Sequence, residues 1–347
     1  MVKIAIVGLG VIGSSLGLAL KKSNKQDLQI IGFDAEVDVG NKATRLGAVD
    51  KAVWQLPDAV SGADVVIIAT PVLAIREVMG DIAKFTDPGI LVTDTGGTKT
   101  SVMDWAEEYL PSGVNFVGGD PLAGWGRSGV DNASPDLFRD ARYALVPGKN
   151  TTQGAVDTAV GLVEAVGAQP YFVDAFEHDS YMAAVNHLPV MLSTALVSAA
   201  SKSPAWNEMS RMAASSFEAN SSLAATDPIV NLDMCITNRE GIVYWVNEAI
   251  RELARFRDLV SEAGNEDGAE TLGQALAQNW ITRQIWHTKY ESGDFGVDQG
   301  QQSFVGTMGD YMGDFMVGGK LRDRYQQLFR LDEKKEKERE RRRFRRK

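Results

Sequence analysis

The stretch Lys3-Ile4-Ala5-Ile6-Val7-Gly8-Leu9-Gly10-Val11-Ile12-Gly13, continuing through Ser14 to Lys22, decides how this chain is read. An apolar run of strand length, Lys3–Val7, leads directly into GxGxxG, and the residues after it have helical composition. In such a turn the first glycine permits the tight bend, the second lets a pyrophosphate approach the backbone, and the third lets helix and strand pack closely. The helix then presents unpaired N–H groups and the positive end of its dipole to the phosphates. Asp34 closes the next apolar run, twenty-one residues beyond Gly13. A carboxylate there accepts hydrogen bonds from the adenosine ribose hydroxyls and repels a 2′-phosphate. The expectation is a dinucleotide site built from Gly8, Leu9, Gly10, Val11, Ile12, Gly13 and Asp34, taking NAD in preference to NADP. FAD fits the same fingerprint, but no second flavin-type motif accompanies it.

Working outward, short apolar runs alternate with helix-period segments through the first half, the pattern of repeated βαβ units. The expected strands are Lys3–Val7, Gln29–Phe33, Val65–Ala69, Ile90–Thr93, Asn115–Val117, Ala141–Val146 and Gln169–Val173. Most are apolar throughout, as a sheet covered on both faces requires. Thr70-Pro71 follows the third of them, at the sheet edge where open α/β proteins bind ligands, and reads either as a wall of the cofactor site or as a strand terminator. From Asp174 the strand signals stop. Asp227-Pro228 suits an N-cap and first helical position, so a long helix is expected from there to Glu262, a loop over Gly264–Gly268, and a further helix from Thr271 to Glu291. Gly293 to Gly319 reads as an irregular glycine-rich stretch in which Met308, Met312 and Met316 share one helical face, an apolar contact. The fold class expected is α/β: an N-terminal Rossmann doubly wound parallel sheet over residues 1–173, a helical substrate and dimerisation domain over 174–330, and a charged basic tail over 331–347.

The chain has 347 residues, 44 % of them hydrophobic and 24 % charged, which excludes a disordered or collagen-like protein. One cysteine, Cys235, allows no intramolecular disulfide, and three histidines leave little for a zinc site, so no metal is expected. The N-terminal apolar run lacks the features of a signal peptide, which points to the cytoplasm. The net charge is −10, yet Asp332 to Lys347 carry +5, leaving −15 on the remainder. An acidic body repels nucleic acid, and no membrane partner is expected. No serine has the strand and turn context of a nucleophile elbow, so covalent hydrolysis is a poor reading.

Beyond the glycine turn, six ordered blocks over roughly residues 1 to 260 resemble the prephenate/arogenate dehydrogenase family, NAD(P)-dependent enzymes that make the tyrosine precursor by oxidative decarboxylation. Val92-Thr93-Asp94-Thr95-Gly96-Gly97-Thr98-Lys99 is similar to the family's D-x-G-S-x-K, and Gly118-Gly119-Asp120-Pro121-Leu122-Ala123-Gly124 to its G-G-H-P-M-A-G. Ser128-Gly129, Leu137-Phe138 and Pro147 follow at the expected intervals. His178-Asp179 resembles the family's H-D, Asn186-His187-Leu188-Pro189-Val190 its S-H-L-P-H, and Ala224 to Pro228 its A-x-S-D-P. The resemblance implies a Rossmann domain followed by a helical domain that forms a homodimer, and a small-molecule substrate.

The departures fall on residues that relatives use toward substrate. The histidine of G-G-H-P is Asp120, the serine of D-x-G-S is Gly97, the second histidine of S-H-L-P-H is Val190, and the carboxylate-binding arginine aligns with Ser222. Oxidising a carbinol needs a nearby hydride acceptor and a base for the hydroxyl proton. Asp120 is the first candidate base, its other reading being a cap or turn residue before Pro121. His187 is the alternative base, or else a satisfied helix histidine. Arg127, whose planar fork can hold a carboxylate in two bonds, is the candidate substrate cation, with Gly97 and Asn186 beside the substrate. Thr95, Thr70 and Pro71 complete the cofactor set. The reading is an NAD-dependent dehydrogenase of this type. Its alternatives are a related hydroxy-acid dehydrogenase with another substrate, or a silent NAD-binding regulator.

Overall fold

The computed structural model describes residues 1–23, 27–124, 126, 128–293 and 295. Eight strands form one sheet: β1 (Val2–Val7), β2 (Leu28–Phe33), β3 (Lys51–Val53), β4 (Val65–Ile68), β5 (Leu91–Asp94), β6 (Asn115–Pro121), β7 (Arg142–Pro147) and β8 (Gln169–Phe172). Their order is β3-β2-β1-β4-β5-β6-β7-β8, parallel except for the antiparallel pair β6–β7. Helices α1 (Val11–Lys22), α2 (Val37–Arg45), α3 (Leu56–Val60), α4 (Val72–Ile82), α5 (Thr100–Tyr109) and α6 (Gln153–Ala165) connect them. Seven of the strands fall where the apolar runs predict. β3 has three residues at a sheet edge, too short to leave a pattern.

Burial on both faces explains the continuous apolar runs. Along β1, Ile4 and Ile6 enter a core with Leu16, Leu20, Val117 and Leu145, while Ala5 and Val7 enter a second core with Ile75, Met79, Val92 and Val102. β4 alternates in the same way, Val65 and Ile67 against Val66 and Ile68. Strand order reverses between β1 and β4, so connections leave the carboxyl ends of these neighbours in opposite directions and open a crevice there.

After Phe172 the described residues are helical or irregular: α7 (Ala175–Met182), a π-helical turn (Ala183–His187), α8 (Leu188–Ser201), α9 (Trp206–Met212), α10 (Ser215–Ser221), α11 (Pro228–Thr237), α12 (Arg239–Glu262) and α13 (Glu266–Ser292). The long helix expected from Pro228 to Glu262 is divided at Asn238, whose backbone leaves the helical region at φ −125, ψ 38. No glycine or proline marks the break. The last helix starts at Glu266 and not at Thr271, because Asn265 caps it by accepting a hydrogen bond from the Gly268 N–H at 2.9 Å.

The chain forms two compact units, Met1–Val246 and Asn247–Lys347. The first holds the whole sheet together with α7 to α11. In the second, α13 stacks Trp286 on Tyr290 at 5.2 Å between ring centres and ends at Gly293 in the left-handed conformation. The methionine face at Met308, Met312 and Met316 and the basic tail lie outside the described residues.

Candidate active site

The glycine turn sits at the carboxyl end of β1. Gly8 adopts φ +92, which L side chains rarely take, and a Cβ on Gly13 would meet the Gly8 carbonyl oxygen at 2.0 Å. A Cβ on Gly10 would meet nothing within 4 Å, so the backbone there faces open space. Gly10 caps α1 without a side-chain hydrogen bond, leaving the helix N-terminus free for an anion. Asp34 accepts hydrogen bonds from the Leu9 N–H at 2.7 Å and the Glu36 N–H at 2.8 Å, tying the turn to the end of β2. This cradle fits a dinucleotide pyrophosphate.

A cleft of about 300 Å³ opens at this sheet edge. Gly10, Val11 and Ile12 line it from α1, Thr70 and Pro71 from the end of β4, Thr95, Gly96 and Gly97 from the end of β5, and Asp120 from β6. His187 reaches it from the π-helical turn, and Thr226, Asp227 and Asn231 from the start of α11. Six of the cofactor candidates and both base candidates therefore line one cavity, whereas Gly8, Leu9, Gly13 and Asp34 do not line it. Asn186 does not line it; its amide donates to the Met182 sulfur at 3.6 Å. Arg127 and its neighbour Trp125 lie outside the described residues. Ser222 is exposed and bonds back to the Ala219 carbonyl at 3.1 Å. Val190 is 1 % exposed and packs with Met234 and Ile242, so a position polar in relatives is core here.

Asp120 is neither a cap nor a turn residue. It is 5 % exposed within β6, and its Oδ2 lies 3.1 Å from His178 Nε2. His178 Nδ1 lies 2.9 Å from Asp179 Oδ1. Asp179 in turn accepts the N–H groups of Lys99 at 2.7 Å and Thr100 at 2.9 Å, the free N–H groups at the start of α5. With a carboxylate at each ring nitrogen, His178 is favourably placed only when both nitrogens carry protons. Burial works against that charge, but the hydrogen bonds to Asp120 and Asp179 prevail and raise its pKa above the ordinary value.

Beneath this chain Lys99 and Asp94, both fully buried, form an ion pair. The Lys99 ammonium also donates to the Gly119 carbonyl at 2.7 Å, and Asp94 accepts from the N–H groups of Gly96 at 2.7 Å and Gly119 at 3.0 Å. The pair thus fixes the backbone next to Asp120. Burial pushes the Asp94 carboxyl up, opposed by Lys99 and these N–H groups. The sequence pattern marks Lys99 only as a cation of a D-x-G-x-x-K segment; its complete burial comes from the packing of β5, β6 and α5.

His187 is fully buried beside the cleft, and burial lowers its pKa to about 4, so the ring is neutral around pH 7. Asn238 donates to its Nδ1 at 3.2 Å. Among the described residues no group of three or more His, Cys, Asp or Glu is arranged to hold a metal ion.

Two sequence-family profiles match the chain: "Prephenate dehydrogenase, nucleotide-binding domain" over residues 16–172, and "Prephenate dehydrogenase, dimerization domain" over 174–276. Prephenate dehydrogenase of Bacillus subtilis (strain 168) is 34 % identical over 266 residues, covering 76 % of this chain and 71 % of the relative. The crystal structure of prephenate dehydrogenase from A. aeolicus in complex with hydroxyphenyl propionate and NAD+ superposes with a TM-score of 0.75 at 26 % identity, covering 82 % of this chain and 98 % of that one. Synechocystis arogenate dehydrogenase gives a TM-score of 0.68 at 26 % identity, covering 82 % and 99 %.

Proposed function

The chain belongs to the prephenate dehydrogenase family, and from that premise we propose how its own residues serve the family's reaction, the NAD-dependent oxidative decarboxylation of prephenate or arogenate toward tyrosine. The observation that carries the assignment is Asp120, buried in the cleft wall with His178 behind it. NAD, when bound, supplies the hydride acceptor for the ring carbinol. Gly10, Val11 and Ile12 at the α1 N-terminus would hold its pyrophosphate, Asp34 at the end of β2 would serve its adenosine ribose, and Thr70, Pro71 and Thr95 would bound its nicotinamide. Asp120 takes the hydroxyl proton as the carbinol becomes a carbonyl, and loss of CO2 then follows from aromatisation of the ring. Purified protein offered NAD or NADP with prephenate and arogenate separately tests this through nicotinamide absorbance. Turnover with NAD is expected. Silence with both substrates, while calorimetry shows NAD bound, would overturn the tyrosine-pathway assignment.

Asp120 and His178 can act as one proton-accepting pair, since their side chains are in hydrogen-bond contact. A neutral His178 can receive through Asp120 the proton that the carbinol gives up, whereas the imidazolium form cannot. The kcat/KM is therefore expected to rise with pH, along a limb centred above the ordinary histidine value of 6.5 because the pKa of His178 is raised. A profile that is flat or falling across neutrality would count against the pair.

Filling the open space at Gly10 tests the cradle. Its φ of −65 and ψ of −163 suit any residue, so Gly10→Ala is expected to keep the thermal midpoint while weakening NAD by about tenfold or more, some 1.4 kcal/mol. Unchanged NAD affinity in calorimetry would place the pyrophosphate elsewhere.

The helical part carries the homodimer. Ala175–Ser201 is long and apolar enough by composition to cross a membrane, and Phe176, Tyr181, Val185, Leu192 and Leu196 along it are exposed in a single chain. We assign this face to a second copy in the cytoplasm, with residues 1–173 holding the cofactor and the helices from Ala175 to Ser292 following them. The part of the expected 174–330 domain beyond residue 295 and the charged 331–347 segment lie outside the described residues. Light scattering is expected to return about twice the 37.7 kDa of one chain; a monomer mass would refute the assignment.

A further inference from the structure

His187 offers the cleft a buried polar atom, Nε2, for which the described residues supply no hydrogen bond of good geometry. The ring is fully buried, it lines the cleft, and no group among the described residues meets hydrogen-bond geometry at Nε2. The backbone of Gly97 acts on the ring as a weak acceptor that favours its protonated form, without satisfying Nε2. Gly97 adds no side chain on that side, where a Cβ would meet nothing within 4 Å.

The other ring nitrogen decides what Nε2 can do. Asn238 Nδ2 lies 2.7 Å from the Asp179 carbonyl oxygen, which only accepts, so this end of the amide is its NH2 group. The second hydrogen of that NH2 points to His187 Nδ1 at 3.2 Å. Nδ1 must therefore present a lone pair, and the single proton of a neutral ring sits on Nε2. The fold makes room for this contact: a Cβ on Gly241, in the first turn of α12, would meet Asn238 Oδ1 at 2.6 Å. Asn238 can reach both partners because it stands at the break between α11 and α12, outside either helix.

We propose that Asn238 fixes His187 as a neutral Nε2–H donor, and that this donor binds a carbonyl or carboxylate oxygen of a ligand in the cleft. His187 is then a binding group and not the base, because a nitrogen already carrying its proton cannot take another while Nδ1 is held by Asn238. The oxygen belongs either to the nicotinamide carboxamide of NAD or to a carboxylate of the substrate. That identity rests on the dehydrogenase reading of the cleft, whereas the protonation state does not.

Nitrogen-15 spectra of histidine-labelled protein test the tautomer without any ligand, and three histidines make the assignment tractable. His187 is expected to show an unprotonated Nδ1 and a protonated Nε2 around neutral pH, and Asn238→Leu to give a mixture of tautomers. A proton on Nδ1 in the wild-type protein would overturn the proposal, whether or not the variant folds. Titration with NAD alone, and then with hydroxyphenyl propionate added as a carboxylate probe, separates the two sources of the oxygen. The first ligand that shifts the Nε2–H resonance identifies the acceptor, and failure of both to shift it would refute the donor role. His187→Ala is expected to raise KM about tenfold, and His187→Gln, which places an amide N–H near the Nε2 position, to recover most of that loss. A fall in kcat of about a hundredfold or more in both variants would instead make His187 the base.

Discussion

Asp120→Asn is expected to lower kcat by about 10²- to 10⁴-fold, the usual contribution of a positioned general base. The substitution keeps the size and most of the hydrogen-bonding capacity of the side chain, so the strand β6 and the contact to His178 at 3.1 Å need not be rebuilt. What it removes is the ability to accept a proton. NAD affinity measured by calorimetry is expected to stay near wild type, because the pyrophosphate cradle lies on the β1–α1 turn and not on β6. The pH limb set by His178 should disappear as well, because the carboxylate that links His178 to the substrate is gone. An Asp120→Asn protein retaining more than about a tenth of wild-type kcat would transfer the proton-accepting role to another residue.

The second large effect is on stability. Lys99→Met is expected to destabilise the protein by about 3–5 kcal/mol, because it leaves the Asp94 carboxylate buried and uncompensated. The loss is a matter of leaving one charge alone, so it should be largely reversed by neutralising the other. Asp94→Asn combined with Lys99→Met is expected to recover at least half of the stability while keeping an oxygen for the Gly96 or Gly119 N–H. Thermal or urea unfolding at one fixed protein concentration measures both, since association shifts the midpoint of an oligomer. If the double variant is as unstable as the single one, the pair contributes through packing and not through charge compensation. The single variant should also lose activity beyond its instability, since Lys99 holds the Gly119 carbonyl next to the base.

The two effects separate what was readable from what was not. Asp120 stands out in the sequence because a block similar to G-G-H-P carries an acid where relatives carry a histidine. The sequence does not show that it is a strand residue 5 % exposed, since a residue before proline equally suits a turn. His178 entered only as half of an H-D pair, and its place between two carboxylates depends on bringing residues 58 apart into contact. Asn238 left no signal: it sits inside what reads as one continuous helix, and its two hydrogen bonds are made to residues 51 and 59 positions away. Val190, where the similar block of the family carries a histidine, lies in the core with Met234 and Ile242, which the sequence did not show.

By itself the sequence determined the doubly wound sheet, the glycine cradle at Gly8 to Gly13, the change to helices after Asp174 and the family. Each of these is written in local periodicity, in turn chemistry within a few residues, or in ordered blocks that survive divergence. The tertiary structure alone decided which polar side chains face one another: Asp94 with Lys99, Asp120 with His178 and Asp179, Asn238 with His187. Protonation states follow from burial and from the partner at each nitrogen or oxygen. Such partners are set by packing across elements far apart in the chain, which no local pattern encodes.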